Sequence, residues 1–116
     1  MNIVEIRDFC IAKPAVEETF PFDSDTLVFK VAGKAFLLTS LQNPNSINLK
    51  CLPERAIELR EQHPAIIPGY HMNKQHGNTV LIDGSLTDSF IFSMINDSYH
   101  LVVAGLTKKV RKDFGL

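Results

Sequence analysis

The chain has no tryptophan, only two cysteines and two tyrosines among 116 residues, and almost no net charge, at −1. It also has no long apolar run, and a bilayer-spanning helix needs about 20 such residues in succession. No membrane span is therefore expected. Two cysteines cannot build the disulfide framework of a small secreted domain, and Cys10 and Cys51 form no CxxC or Cys/His ligand pattern. They read as free, buried thiols in a reducing compartment. Residues 1–10 mix charge into their apolar positions and lack a basic leader region and a cleavage site, so no signal peptide is read there and a cytoplasmic address is expected. A net charge near zero gives no long-range field that favours nucleic acid or an anionic membrane. Affinity for phosphate must come from a local patch.

With 45% hydrophobic and 22% charged residues, the composition is that of an ordinary globular protein. The length fits one domain, residues 1–116. A chain of this size buries roughly 65% of its unfolded surface, so neither disulfides nor a metal are needed to hold it; no cofactor is expected. Charge is uneven along the chain. Basic residues gather in the tail, at Lys108, Lys109, Arg111 and Lys112, and again between His71 and His76; acidic ones gather at Glu17, Glu18, Asp23 and Asp25.

The first residues predict a short helix. Asn2 is a capping residue, Glu5 stands three places on, and Ile3, Ile6, Phe9 and Cys10 form one apolar stripe. Lys13-Pro14 ends it, because proline pushes the preceding residue out of the α region. Residues 15–25 read as an ordered loop anchored on the core by Phe20 and Phe22. A hairpin follows, residues 27–31 and 34–39, turning through Ala32-Gly33. Residues 47–51 alternate cleanly, with Ile47, Leu49 and Cys51 facing the core and Asn48 and Lys50 facing water. Pro53 and Glu54 suit the start of a second helix, closed at His63-Pro64. Residues 65–77 read as irregular or short extended pieces, 78–83 as a strand turned at Asp83-Gly84. A last helix is capped by Thr87 or Ser85, carries Ile91, Met94, Ile95, Ser98 and Val102 on its buried stripe and continues towards Leu106. This order predicts an α+β fold: a twisted, largely antiparallel sheet with helices packed on one face. The other face, bearing Asn48 and Lys50, is expected to be open, polar and available for binding.

The run Pro68-Gly69-Tyr70-His71-Met72-Asn73-Lys74-Gln75-His76, with Thr79-Val80 after it, resembles the signature of the MmcQ/YjbR family. Glu17-Glu18 before Phe20-Pro21-Phe22, Gly33-Lys34 before Phe36, Leu49-Lys50-Cys51 before Pro53-Glu54, and Ser98-Tyr99 before Leu101-Val102 agree with it in order and spacing. The resemblance covers nearly the whole chain. It implies a frataxin-like (CyaY-like) arrangement of sheet and helices, and a DNA-binding role. One departure from the family pattern is Gly77, where tryptophan usually follows the second histidine.

No GxSxG, HExxH, phosphate-loop or GxGxxG motif is present. Cys51 falls on the apolar side of its strand, which suits an inert thiol better than a nucleophile. His71 and His76 have no cysteine or carboxylate beside them to complete a metal site. No catalytic and no metal-binding residues are therefore expected, and the chain reads as a binding module rather than an enzyme. The candidate binding set is Lys34, Asn48, Lys50, His71, Asn73, Lys74 and His76. Lysines neutralise phosphates, while asparagine and histidine hydrogen-bond to phosphates or base edges. The expected ligand is DNA. The alternative is a protein partner or a small anionic metabolite on the open sheet face. The basic tail reads as a solvated end that complements a helix dipole, or else as a flexible arm that adds phosphate contacts.

Overall fold

Asn2 caps the first helix as its position predicts: its side-chain oxygen accepts the Glu5 amide N–H at 2.9 Å, and α1 runs Ile3–Ile11. The computed structural model describes residues 1–69 and 76–116. His71, Asn73 and Lys74 lie outside these. After α1 come strands β1 (Val16–Thr19), β2 (Thr26–Val31), β3 (Lys34–Ser40) and β4 (Ser46–Lys50). Helix α2 (Pro53–Gln62), strands β5 (Ile66–Pro68) and β6 (Gly77–Leu81), and helices α3 (Asp88–Ala104) and α4 (Lys108–Asp113) complete the order.

All six strands join one antiparallel sheet in the order β1-β2-β3-β4-β6-β5. The β2–β3 hairpin turns in two residues, and both have positive φ, 49° at Ala32 and 82° at Gly33. This pairing of left-handed residues matches the natural twist of the strands it joins. A register shift between Phe29 and Lys30 bends β2 at the same end. Pro68 sits on β5, an edge strand, where a missing N–H costs nothing.

One sheet face carries Phe29, Leu37, Ile47, Leu49 and Val80 into the main apolar cluster. The helices cover this face. Ile91, Met94, Ile95, Ser98 and Val102 of α3 are all buried, as the helical spacing predicts. Phe36 meets the Tyr99 ring edge-on at 5.4 Å, a geometry that places a positive ring edge against a negative face. The Tyr99 hydroxyl donates to the Pro14 carbonyl at 2.7 Å, tying α3 to the chain leaving α1. At the edge of the sheet, Arg7 of α1 grips Glu18 of β1 with two hydrogen bonds, each 2.7 Å.

Several expectations need correction. Residues 16–19 form a strand rather than loop. Phe20 and Phe22 do not anchor to the core; they are 44% and 74% exposed. Of the two expected caps, Thr87 is the one that caps α3; α3 stops before Leu106, at Gly105. The basic tail is neither loose end nor arm: Thr107 caps it as α4, and Arg111 Nε donates back to the Val103 carbonyl at 3.1 Å.

The largest correction concerns Asn48, expected on a wet face. It is 4% exposed. Its neighbours across the ladder, Leu38 and Thr79, are buried too, as is Val28 beyond Leu38. A stripe of aligned, buried residues therefore runs across the second face. Within it the Thr79 hydroxyl donates to Asn48 Oδ1 at 2.6 Å, so the amide is satisfied inside the protein and is not available to a ligand.

Candidate functional site

Strand β3 begins, β4 ends and β6 begins at one end of the sheet, and the last turns of α3 lie over that end. Lys34, Lys50 and His76 are brought there by these three strand ends and line one cleft of about 310 Å³. Three of the seven sequence candidates thus converge. Asn48 stays within the sheet. The walls of the cleft between the cations come from Cys51, Leu52, Leu101, Val102 and Leu106.

The geometry at Lys50 has a definite cause. Only two residue pairs, Leu37–Leu49 and Leu38–Asn48, join β3 to β4, so the two strands part towards this end. The side chain of Ser98 fills the gap. Its hydroxyl donates to the Phe36 carbonyl at 2.6 Å and accepts the Lys50 amide N–H at 2.9 Å. On the other side, Lys50 pairs with Gly77, and the Cys51 N–H donates to the His76 carbonyl at 2.8 Å. The backbone around Lys50 is thus fixed from both flanks. Gly77, the departure from the family pattern, leaves the position opposite Lys50 without a side chain. A Cβ on the neighbouring Gly69 would stand 3.3 Å from the Gly77 carbonyl group, a tight approach to backbone.

Lys34 is exposed and Lys50 half-buried. Burial lowers the Lys50 pKa below the usual lysine value, and the nearby Lys34 charge lowers it further. Among the described residues, neither lysine forms an ion pair. Two like charges without a carboxylate in a concave site favour an anion. Helix α2 adds to this. Its N-cap is Leu52, which lines the cleft and has no side-chain oxygen to accept the first-turn N–H groups.

A second cavity, of about 320 Å³, lies beside the cleft and shares Lys50, Cys51, Leu52 and Leu101 with it. It runs between α2 and α3 over β4 and β6. Both cavities lie on the helix-covered side of the sheet, not on the face expected to be open. Cys51 borders both, and burial raises its thiol pKa above the ordinary value. That shift disfavours the thiolate a nucleophile needs. No group of three or more metal-ligating side chains occurs among the described residues, and no helix there is long and apolar enough to cross a membrane.

Sequence reasoning missed the role of Ser98, which it treated as one more residue on a helical stripe. A lone serine among Ile, Met and Val at core spacing was the available signal, since a buried hydroxyl must find partners. It also missed the second cavity, which no single segment encodes.

Similar proteins are found both by sequence and by structure. The Escherichia coli O157:H7 protein YbdF is 41% identical over 100 residues, 85% of this chain and 82% of its own length. The Escherichia coli K12 protein YjbR is 37% identical over 113 residues, 97% of this chain and 96% of its own. The crystal structure of the Deinococcus radiodurans protein DR2400, a DUF419 domain, superposes with a TM-score of 0.92 at 43% identity, covering 100% of this chain and 90% of that one. A crystal structure from Pseudomonas syringae gives 0.75 at 32% identity, over 87% and 98%. The YjbR family model matches residues 11–101, and the chain belongs to the YjbR family.

Proposed function

We propose that this protein is a non-enzymatic binding module that seats the phosphate group of a small ligand between Lys34 and Lys50. The observation that carries this reading is the convergence of two lysines, neither with an ion-pair partner among the described residues, in one cleft. A phosphate monoester carries about −1.5 to −2 charges at neutral pH, which balances two ammonium groups better than a single carboxylate does. His76, on the same rim, offers a ring N–H to a phosphate oxygen. Concavity favours a compact ligand over an extended strand, and Asn48 is too buried to serve as a further contact. A thermal-shift titration tests this reading with inorganic phosphate and phenyl phosphate, against sulfate-free buffer. Ligand at ~100 times Kd adds about 2.7 kcal/mol of stability. Equal melting of the wild type and Lys50→Ala with and without ligand would remove the reading.

A second reading, DNA, follows from the family resemblance and has one structural observation in its favour. Lys108, Lys109 and Lys112 are exposed on α4, which starts two residues after Leu106 on the cleft wall. These cations extend the basic surface beyond the cleft. Fluorescence anisotropy of labelled single- and double-stranded DNA, at ~50 and ~200 mM salt, measures the phosphate contacts through the salt dependence of binding. Absence of binding at low salt would leave the small-ligand reading alone. A cytoplasmic setting, consistent with two free cysteines, accompanies both readings.

A further inference from the structure

The second cavity is not explained by a phosphate seat. Its walls are Leu49, Leu59, Val80, Met94, Leu101 and Ala104, drawn from β4, α2, β6 and α3. Protein interiors are packed to crystal-like density, and open apolar space of this size forfeits contacts along its whole lining. At about 320 Å³ it falls within the range of small-molecule sites. The polar side chain in the wall makes no demand on an occupant. Asn78 Oδ1 already accepts from Arg60 Nε at 2.8 Å, and its Nδ2 faces the Ala56 carbonyl at 3.4 Å. The other polar side chains sit at the rim, at Arg55, Asp97 and His100, and at the Lys50 end shared with the cleft.

A charged cleft that adjoins an apolar cavity through shared lining residues fits a ligand with two unlike ends. We propose that this cavity holds the aliphatic or aromatic portion of an amphipathic phosphate monoester whose phosphate lies at Lys34 and Lys50. The inference rests on the phosphate-seat reading and adds the chemical class of the rest of the ligand. Lys50, Cys51, Leu52 and Leu101 line both cavities, and the ligand crosses from one to the other past these residues. Such a ligand is recognised by its length and apolar bulk as well as its charge. A sugar phosphate, which carries hydroxyls where the cavity offers hydrocarbon, is rejected.

The test is calorimetric titration of the full chain with inorganic phosphate and with ethyl, butyl and hexyl phosphate. The expected result is a Kd that falls about threefold to fourfold for each methylene buried, while Lys50→Ala weakens every member of the series. Ala104→Trp projects bulk into the cavity from an exposed helix position. It is expected to bring hexyl phosphate back to the affinity of inorganic phosphate and to leave inorganic phosphate unchanged. Ala104→Leu, a smaller change, gives an intermediate loss. Equal affinity for all four ligands would overturn the cavity assignment and leave the phosphate seat standing. A chain-length gain that survives Ala104→Trp would overturn it too, because the chain then lies elsewhere. No binding by any of the four would overturn both readings.

Discussion

The Ser98 hydroxyl stands between two strands and joins them where their own ladder has ended, accepting the Lys50 N–H at 2.9 Å and donating to the Phe36 carbonyl at 2.6 Å. One oxygen on α3 therefore fixes the backbone that carries Lys50. Ser98 and Phe36 are fully buried, so the Phe36 carbonyl has no water to fall back on; the Lys50 N–H is part-buried.

Ser98→Ala is expected to orphan the buried Phe36 C=O, at about 1–3 kcal/mol, and to cost less at the part-buried Lys50 N–H. Urea unfolding checks it: the midpoint should fall with the slope unchanged. Ser98→Thr keeps the hydroxyl and should recover part of the loss. An Ala variant as stable as the wild type would mean the two strands close on each other without help.

Asn48 belongs to the fold rather than to a binding surface. Asn48→Ala removes the acceptor of the Thr79 hydroxyl and should cost about 1–3 kcal/mol in thermal or urea unfolding. Phosphate affinity of the folded variant should stay at the wild-type value. Loss of affinity at unchanged stability would restore Asn48 as a ligand contact.

Gly33 tests the hairpin that delivers Lys34. Its φ is 82° and nothing lies within 4 Å of a Cβ built there, so Gly33→Ala meets no clash and its cost is conformational. It should lose about 1–2 kcal/mol, the left-handed penalty of an L-residue. Ala32→Asn should gain stability, since asparagine tolerates the positive φ already present at Ala32. Chemical denaturation of both variants measures the pair.

Cys10 gives a pH signature. Burial, opposed weakly by the nearby Lys13 charge, pushes its thiol from 9.0 up to about 12. The folded state holds its proton where the unfolded chain has released it, so the folded state binds more protons between those values. Stability from this group is fully present below about pH 9 and falls as pH rises towards about 12. The slope approaches about 1.4 kcal/mol per pH unit. The difference in stability between wild type and Cys10→Ala should shrink over that window. A difference that stays flat from neutral to alkaline pH would show that the thiol ionises without unfolding.

Much of the fold was legible because its signals are local. Asn2 and Thr87 cap helices, Pro53 opens one, and Ala32-Gly33 turns a hairpin, each by chemistry within a few residues. The α3 stripe was legible because 3.6-residue spacing is visible in one segment. Strand β1 was not, because Val16–Thr19 has four residues and two exposed glutamates, and is a strand only by pairing with β2. The alternation of β4 was read correctly, yet its second face was misjudged. Whether Asn48 meets water depends on Leu38 and Thr79 beside it, and register is a long-range property. Helix α4 escaped because Val110 is its one apolar residue. Of the site, the sequence grouped Lys34, Lys50 and His76 in one candidate set with Asn48, His71, Asn73 and Lys74. That the first three share a cleft is decided by where three strands begin and end, and that the cleft adjoins an apolar cavity depends on the distance between two helices.

The central claim is that a phosphate group sits between Lys34 and Lys50. An amide-resolved NMR titration of the folded protein with phenyl phosphate at low salt tests it most directly. The predicted result is saturable shifts of the Lys34, Lys50, Cys51, Leu52 and Gly77 amides, abolished in Lys34→Ala/Lys50→Ala. Shifts centred instead on α4 or the β1 edge, or saturable shifts that persist in the double variant, would contradict it.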